Sequence, residues 1–199
     1  MATQSVEEDV AYLKDLAEAG AAGVPSGGVY FLVWAVAIAT GLGLTYGAVT
    51  GVLPLGATTL TYCWSGLIVS GWLATFFLRR ASATKPEGLR FANRIVGATW
   101  FAAGLAMTSI WLGLVVSGAN QALMMPIASA IVGVGTAVSG TIFRLTWLYA
   151  VAVAWWAVAF ACFLILPRVE FILFSAAAIL VLQGGTGLAL LLLEGRRGR

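Results

Sequence analysis

The sequence has no histidine, two cysteines and five prolines, and only 10% of its 199 residues carry charge. Each scarcity removes a class of chemistry. Without imidazole there is no histidine-ligated haem, no His-based zinc site and no Ser-His-Asp triad. Two cysteines cannot complete a structural zinc site, which takes four ligands. Cys63 and Cys162 lie in different apolar segments, and unpaired buried cysteine behaves as a small hydrophobe. A soluble domain carries about 25% charged residues, so this chain could not cover a water-facing surface. No Asp, Glu, Lys or Arg falls at the middle of any apolar segment. Groups that would bind and release protons or ions at membrane depth are therefore missing. The expectation is a protein that is not an enzyme, with no metal and no cofactor. Glu87 with Arg90 or Arg94 is the one polar grouping that leaves an active site open.

What is present is apolar. Hydrophobic residues make up 61% of the chain and the mean hydropathy is +0.97. A spanning helix needs about 20 mostly apolar residues. Six such stretches fit, near residues 29–46, 58–78, 95–117, 122–140, 145–166 and 169–193. Ten of the eleven Lys and Arg residues fall in alternate gaps between them, and only Arg168 falls in the others. Cytoplasmic segments retain Lys and Arg, so both termini are expected in the cytoplasm. The predicted fold is an all-α polytopic bundle of six transmembrane helices in three hairpins, in a bacterial inner membrane. Residues 1–27 form a cytoplasmic arm, 28–194 the bundle and 195–199 a basic tail. Arg144 marks the boundary between the fourth and fifth helices, with a tight turn expected near Ser139–Gly140. Residues 81–88 read as a flexible inner loop.

The arm begins acidic, with Glu7, Glu8 and Asp9, whereas a signal peptide begins basic. Ser5 with Glu8 forms a capping-box pattern, which satisfies free N–H groups at a helix start. Val6, Val10, Leu13, Leu16 and Ala17 recur at helical spacing as one stripe, with Glu7, Lys14, Asp15 and Glu18 opposite. A helix lying on anionic lipid favours a basic polar face, so this acidic one points to protein contact. Two readings stay open: the stripe packs on the chain's own basic loop, or it docks a partner. Arg79, Arg80, Arg196, Arg197 and Arg199 sit where cations meet lipid headgroups. No soluble basic and aromatic surface exists for nucleic acid.

Within the membrane segments, small residues are dense. Ser129 with Gly133, Gly135 with Ser139 and Thr136 with Gly140 are spaced four apart. Such spacing lets helix backbones approach, either within the bundle or across a homodimer. Gln183-Gly184-Gly185-Thr186-Gly187 in the sixth segment has two readings: a close crossing with Gln183 bonded to a neighbour, or a broken helix at a solute site. Thr61 and Tyr62 are the other residues a polar path would use. Trp34, Trp100 and Trp147 stand in the first half of the odd-numbered segments and align as a faint threefold repeat.

The arm residues 8–13 and 16–18, then Gly27-Gly28 before Phe31-Leu32-Val33-Trp34, are similar to the start of a group of uncharacterised proteobacterial membrane proteins. So are residues 50–56, Lys85-Pro86-Glu87-Gly88 and residues 93–100. The resemblance covers roughly the first 120 residues. It departs at Gln183-Gly184-Gly185, where that group tends to have a Pro-Gly break. It implies a six-helix inner-membrane protein and carries no activity or functional residues. The functional expectation is a non-catalytic accessory or regulatory subunit that binds lipids and a protein partner or larger membrane complex. The alternative is a small channel or uniporter for a neutral or apolar solute, as a homodimer through the fourth helix.

Overall fold

The computed structural model describes Val10, Lys14 and residues 27–81, 87–166 and 168–197. Among these residues the structure is helical, with no strand. Helix α1 runs Gly28–Val49, α2 Ala57–Ala81, α3 Glu87–Ser117, α4 Met124–Phe143 and α5 Trp147–Ile165. The sixth span begins as α6, Glu170–Ala178, passes through a π-helical segment, Ile179–Gly184, and ends as α7, Gly185–Arg197. All six are long and apolar enough to cross a membrane, consistent with a multi-pass membrane protein.

Most helix ends follow from local chemistry. Gly118 follows α3 at a φ of 66°, a backbone conformation that glycine takes without steric cost. Asn120 Oδ1 accepts from the N–H of Ala122 at 3.0 Å, capping the short turn that leads into α4. Pro126 lies in the first turn of α4, where its missing N–H is one no helical partner would have used. The turn expected near Ser139–Gly140 falls later. α4 continues to Phe143, and Arg144 takes the left-handed conformation at φ 52°. The N–H of Leu145 reaches Gly140 O at 3.0 Å and that of Arg144 reaches Thr141 O at 3.3 Å. Those two bonds form a Schellman motif, which does not require glycine at the turn. α3 also starts earlier than the apolar run, at Glu87. Glu87 and Gly88, expected in a flexible loop, are its first residues.

The helices fall into two groups. α1, α4, α5 and the sixth span enclose one apolar cluster. It contains Ala35 and Leu42 of α1, Met125 and Val132 of α4, Trp155 and Cys162 of α5, and Phe171 and Ile179 of the sixth span. The buried share of the most apolar stretch is 28% in α1, 44% in α4, 28% in α5 and 33% in the sixth span. The same measure is 6% for α2 and 0% for α3. α1 is central, because it packs on α2 on one side and on the whole length of the sixth span on the other. Its closest approach is glycine on glycine. A methyl group on Gly28 would lie 2.6 Å from Gly187 O, and one on Gly187 would lie 2.8 Å from Gly28 O. Small residues at such a crossing let dispersion contacts hold helices that lipid would otherwise solvate equally well.

Candidate functional site

A recurring contact holds the bundle together, and it is built from three residues. A Trp from one helix lies over a Gly of its neighbour and donates its indole N–H to the hydroxyl four residues beyond that Gly. Trp34 donates to Thr75 at 3.1 Å, beside Gly71. Trp64 donates to Thr45 at 3.0 Å, beside Gly41. Trp72 donates to Thr108 at 3.4 Å, beside Gly104. Trp100 donates to Ser139 at 3.0 Å, beside Gly135.

The physical reason is steric and electrostatic together. Glycine leaves a hollow that a flat ring can enter. One helical turn separates positions i and i+4 on the same face, which sets the hydroxyl under the indole nitrogen. Two of the four hydroxyls also satisfy their own proton on the preceding turn, Thr45 on Gly41 O at 2.8 Å and Ser139 on Gly135 O at 2.8 Å, and keep a lone pair for Trp. In an apolar surrounding an indole N–H needs such a partner.

Between α1 and α2 the contact is reciprocal. α1 carries Trp34, Gly41 and Thr45, and α2 carries Trp64, Gly71 and Thr75, with identical spacings along the chain. The two helices are antiparallel copies of one pattern. Edge-on ring contacts extend it, from Trp34 to Trp72 at 5.9 Å between centroids, from Trp72 to Phe101 at 5.6 Å and from Phe31 to Trp100 at 5.0 Å. Trp156 is a variant. It covers Gly133, but Ala137 stands where a hydroxyl would be, and its N–H goes to Ala130 O at 3.3 Å.

These contacts absorb most of the small residues singled out in α4. Gly133 meets Trp156 and Gly135 meets Trp100. Gly140 packs on Leu148. Thr136 is fully buried and bonds Val132 O at 2.7 Å. Ser129 Oγ and Trp155 Nε1 are buried without a hydrogen-bond partner among the described residues. Cys162 lies 3.9 Å from Ser175, and both cysteines are free thiols.

The residues expected to form a polar path do not come together. Gln183 is buried in the π-helical segment at the middle of the sixth span. Its side chain has no hydrogen-bond partner among the described residues. Thr61 and Tyr62 stand in the first turns of α2, which does not pack on the sixth span. Thr61 bonds Ala57 O at 3.0 Å, and Tyr62 is exposed. Among the described residues, no three His, Cys, Asp or Glu side chains gather to hold a metal.

Of the arm stripe, Val10 is exposed; Val6, Leu13, Leu16 and Ala17 lie outside the described residues. Arg80 sits over the Phe76 ring at 5.0 Å. The side chains of Arg79 and Arg197, and Arg199 altogether, lie outside the described set. Arg196 borders a surface crevice of about 270 Å³, whose walls are Trp147, Ala189, Leu192 and Leu193. No protein-family model, curated protein or solved structure matches the chain.

Proposed function

We propose that the chain is a non-catalytic accessory subunit of a bacterial inner-membrane complex, and that α2 and α3 face its protein partner. In this reading the six spans form three hairpins with both termini in the cytoplasm. The distribution of Lys and Arg supports that orientation. One observation carries the functional reading. Two of the six spans are almost unburied, at 6% and 0%, although they are tied to the bundle by Trp contacts. Their outward faces are apolar along their length, with Val69, Leu73, Phe76 and Phe77 on α2 and Phe101, Leu105, Leu112 and Val116 on α3.

The test places a photo-crosslinking residue at Leu105 on α3 and, separately, at Phe160 on α5, both exposed. A discrete protein adduct at Leu105 and only lipid adducts at Phe160 is the expected result. Lipid adducts at both positions would remove the reading. The acidic arm is a second contact in the same proposal. Val10→Asp with Leu13→Asp weakens partner recovery if the arm docks, and leaves it unchanged if the arm packs on its own bundle.

The channel or uniporter reading retains one observation. Gln183 is a largely buried residue whose side chain has no hydrogen-bond partner among the described residues, set in a π-helical segment of a kind often found at functional sites. Solute flux in liposomes that is lost in Gln183→Leu would favour it over the accessory reading.

A further inference from the structure

The Trp contact is missing at one place where the sequence repeat calls for it. Trp34 and Trp100 each find a Gly and a hydroxyl one turn apart on the next span. Trp147 is their counterpart in α5, and it faces the inner half of the sixth span. The sequence keeps the spacing there as Gly185 and Ala189, but Ala189 offers no hydroxyl, and no side chain lies over Gly185. Trp147 has no hydrogen-bond partner among the described residues. Instead of a closed contact, a crevice of about 270 Å³ remains, walled by Trp147, Ala189, Leu192 and Leu193 and ending at Arg196. Arg196 is exposed and has no carboxylate partner among the described residues.

We infer that this crevice is a binding site for one anionic phospholipid. The chemistry is graded along the crevice. From Ala189 to Arg196 the helix rises about 10 Å, from apolar wall to cation. An acyl chain would lie along Ala189, Leu192 and Leu193, with the headgroup phosphate on Arg196. The Trp147 N–H, without a partner among the described residues, donates to an ester or phosphate oxygen at the interface, the depth at which Trp is enriched. The volume is just below the roughly 300–1,000 Å³ of small-molecule pockets, so it admits one chain segment and not a folded ligand. This site is independent of the partner face on α2 and α3.

The experiment is native mass spectrometry of the full chain ejected from phosphatidylcholine nanodiscs doped with phosphatidylglycerol, counting phosphatidylglycerol retained per protein. Arg196→Gln removes the cation. Ala189→Phe fills the crevice and keeps the charge. Arg94→Gln removes an exposed cation elsewhere and serves as the control. One retained phosphatidylglycerol is expected in the parent chain and the control. It should fall roughly fivefold in Arg196→Gln, the factor given by about 1 kcal/mol per cation, and comparably in Ala189→Phe. Unchanged retention in both site variants overturns the inference. An equal loss in Arg94→Gln does so too, since it makes the effect diffuse charge. Loss in Arg196→Gln without loss in Ala189→Phe removes the crevice. Displacement by added inorganic phosphate makes the site one for a free anion, not a lipid.

Discussion

The pair α4–α5 and the pair α2–α3 are built from similar residues and behave differently. α4 and α5 make the most extensive helix contact in the molecule, through Gly133, Gly140 and the short turn at Arg144. α2 meets α3 through Trp72, which lies on Gly104, Phe101 and Thr108. Both pairs use Trp on Gly. The difference is that α4 and α5 also bury Trp155, Leu148, Thr136 and Ser129, while the corresponding faces of α2 and α3 stay open. One shared contact is enough to position a helix, but additional buried faces are needed to enclose it. In a membrane, where lipid tails are as apolar as Leu, close packing and hydrogen bonds must supply the association.

That comparison can be broken at the core end first. Trp155→Ala should cost the most, about 3–5 kcal/mol, because a large buried side chain leaves a cavity. Reversible unfolding in mixed micelles reads it, and a cost below that of any α2 or α3 variant would invert the comparison. Next is Gly28→Val. The added atoms meet Gly187 O and the backbone N of Leu191, which cannot rotate aside. Overpacking of this kind costs about 1–3 kcal/mol, and the same assay should place it at the upper end.

Smaller effects sharpen the account of the Trp contacts. Thr75→Val removes the acceptor of Trp34 at about 0.6 kcal/mol, the typical value for a hydrogen bond between membrane helices. A double-mutant cycle with Trp34→Phe should return coupling of that size; purely additive losses would mean the Trp contributes by packing alone. The smallest effect belongs to α3. Phe101→Leu and Leu105→Ala should change stability by no more than about 0.5 kcal/mol while altering crosslinking to a partner. A loss of several times that amount would show that α3 is part of the core.

Much of the architecture was legible because it follows from composition. Six apolar runs and the alternation of basic gaps need no tertiary information, and the observed spans agree with the runs to within a few residues except at α3, where polar residues of Glu87–Arg94 extend the helix. The Trp contacts were also written in the sequence. Trp34-Gly41-Thr45 and Trp64-Gly71-Thr75 repeat one spacing. A comparison of small residues within one helix does not reveal the signal, because the pattern pairs them with Trp across two helices. The π-helical segment was not legible. Its hydrogen-bond register is a tertiary outcome of how the sixth span lies on α1, and Gln183-Gly184-Gly185 fits a break as well as a bulge. The crevice at Trp147 was hidden for a similar reason, since its walls come from two helices far apart in sequence.

The glycine crossing of α1 and the sixth span joins the first and last of the six described spans. Gly28 finds Gly187 only after the four spans between them have been made. At about 5–20 residues per second, that interval is about 8–30 s. Throughout it, the face of α1 that will meet the sixth span has only lipid or the insertion machinery to lean on. Its α2 side, by contrast, can zip up as soon as the second span enters. Closure of this seam therefore waits for the sixth span, and a chain cut short before that span presents an open seam of Gly28, Leu32 and Ala35 to whatever surveys the membrane for incomplete proteins.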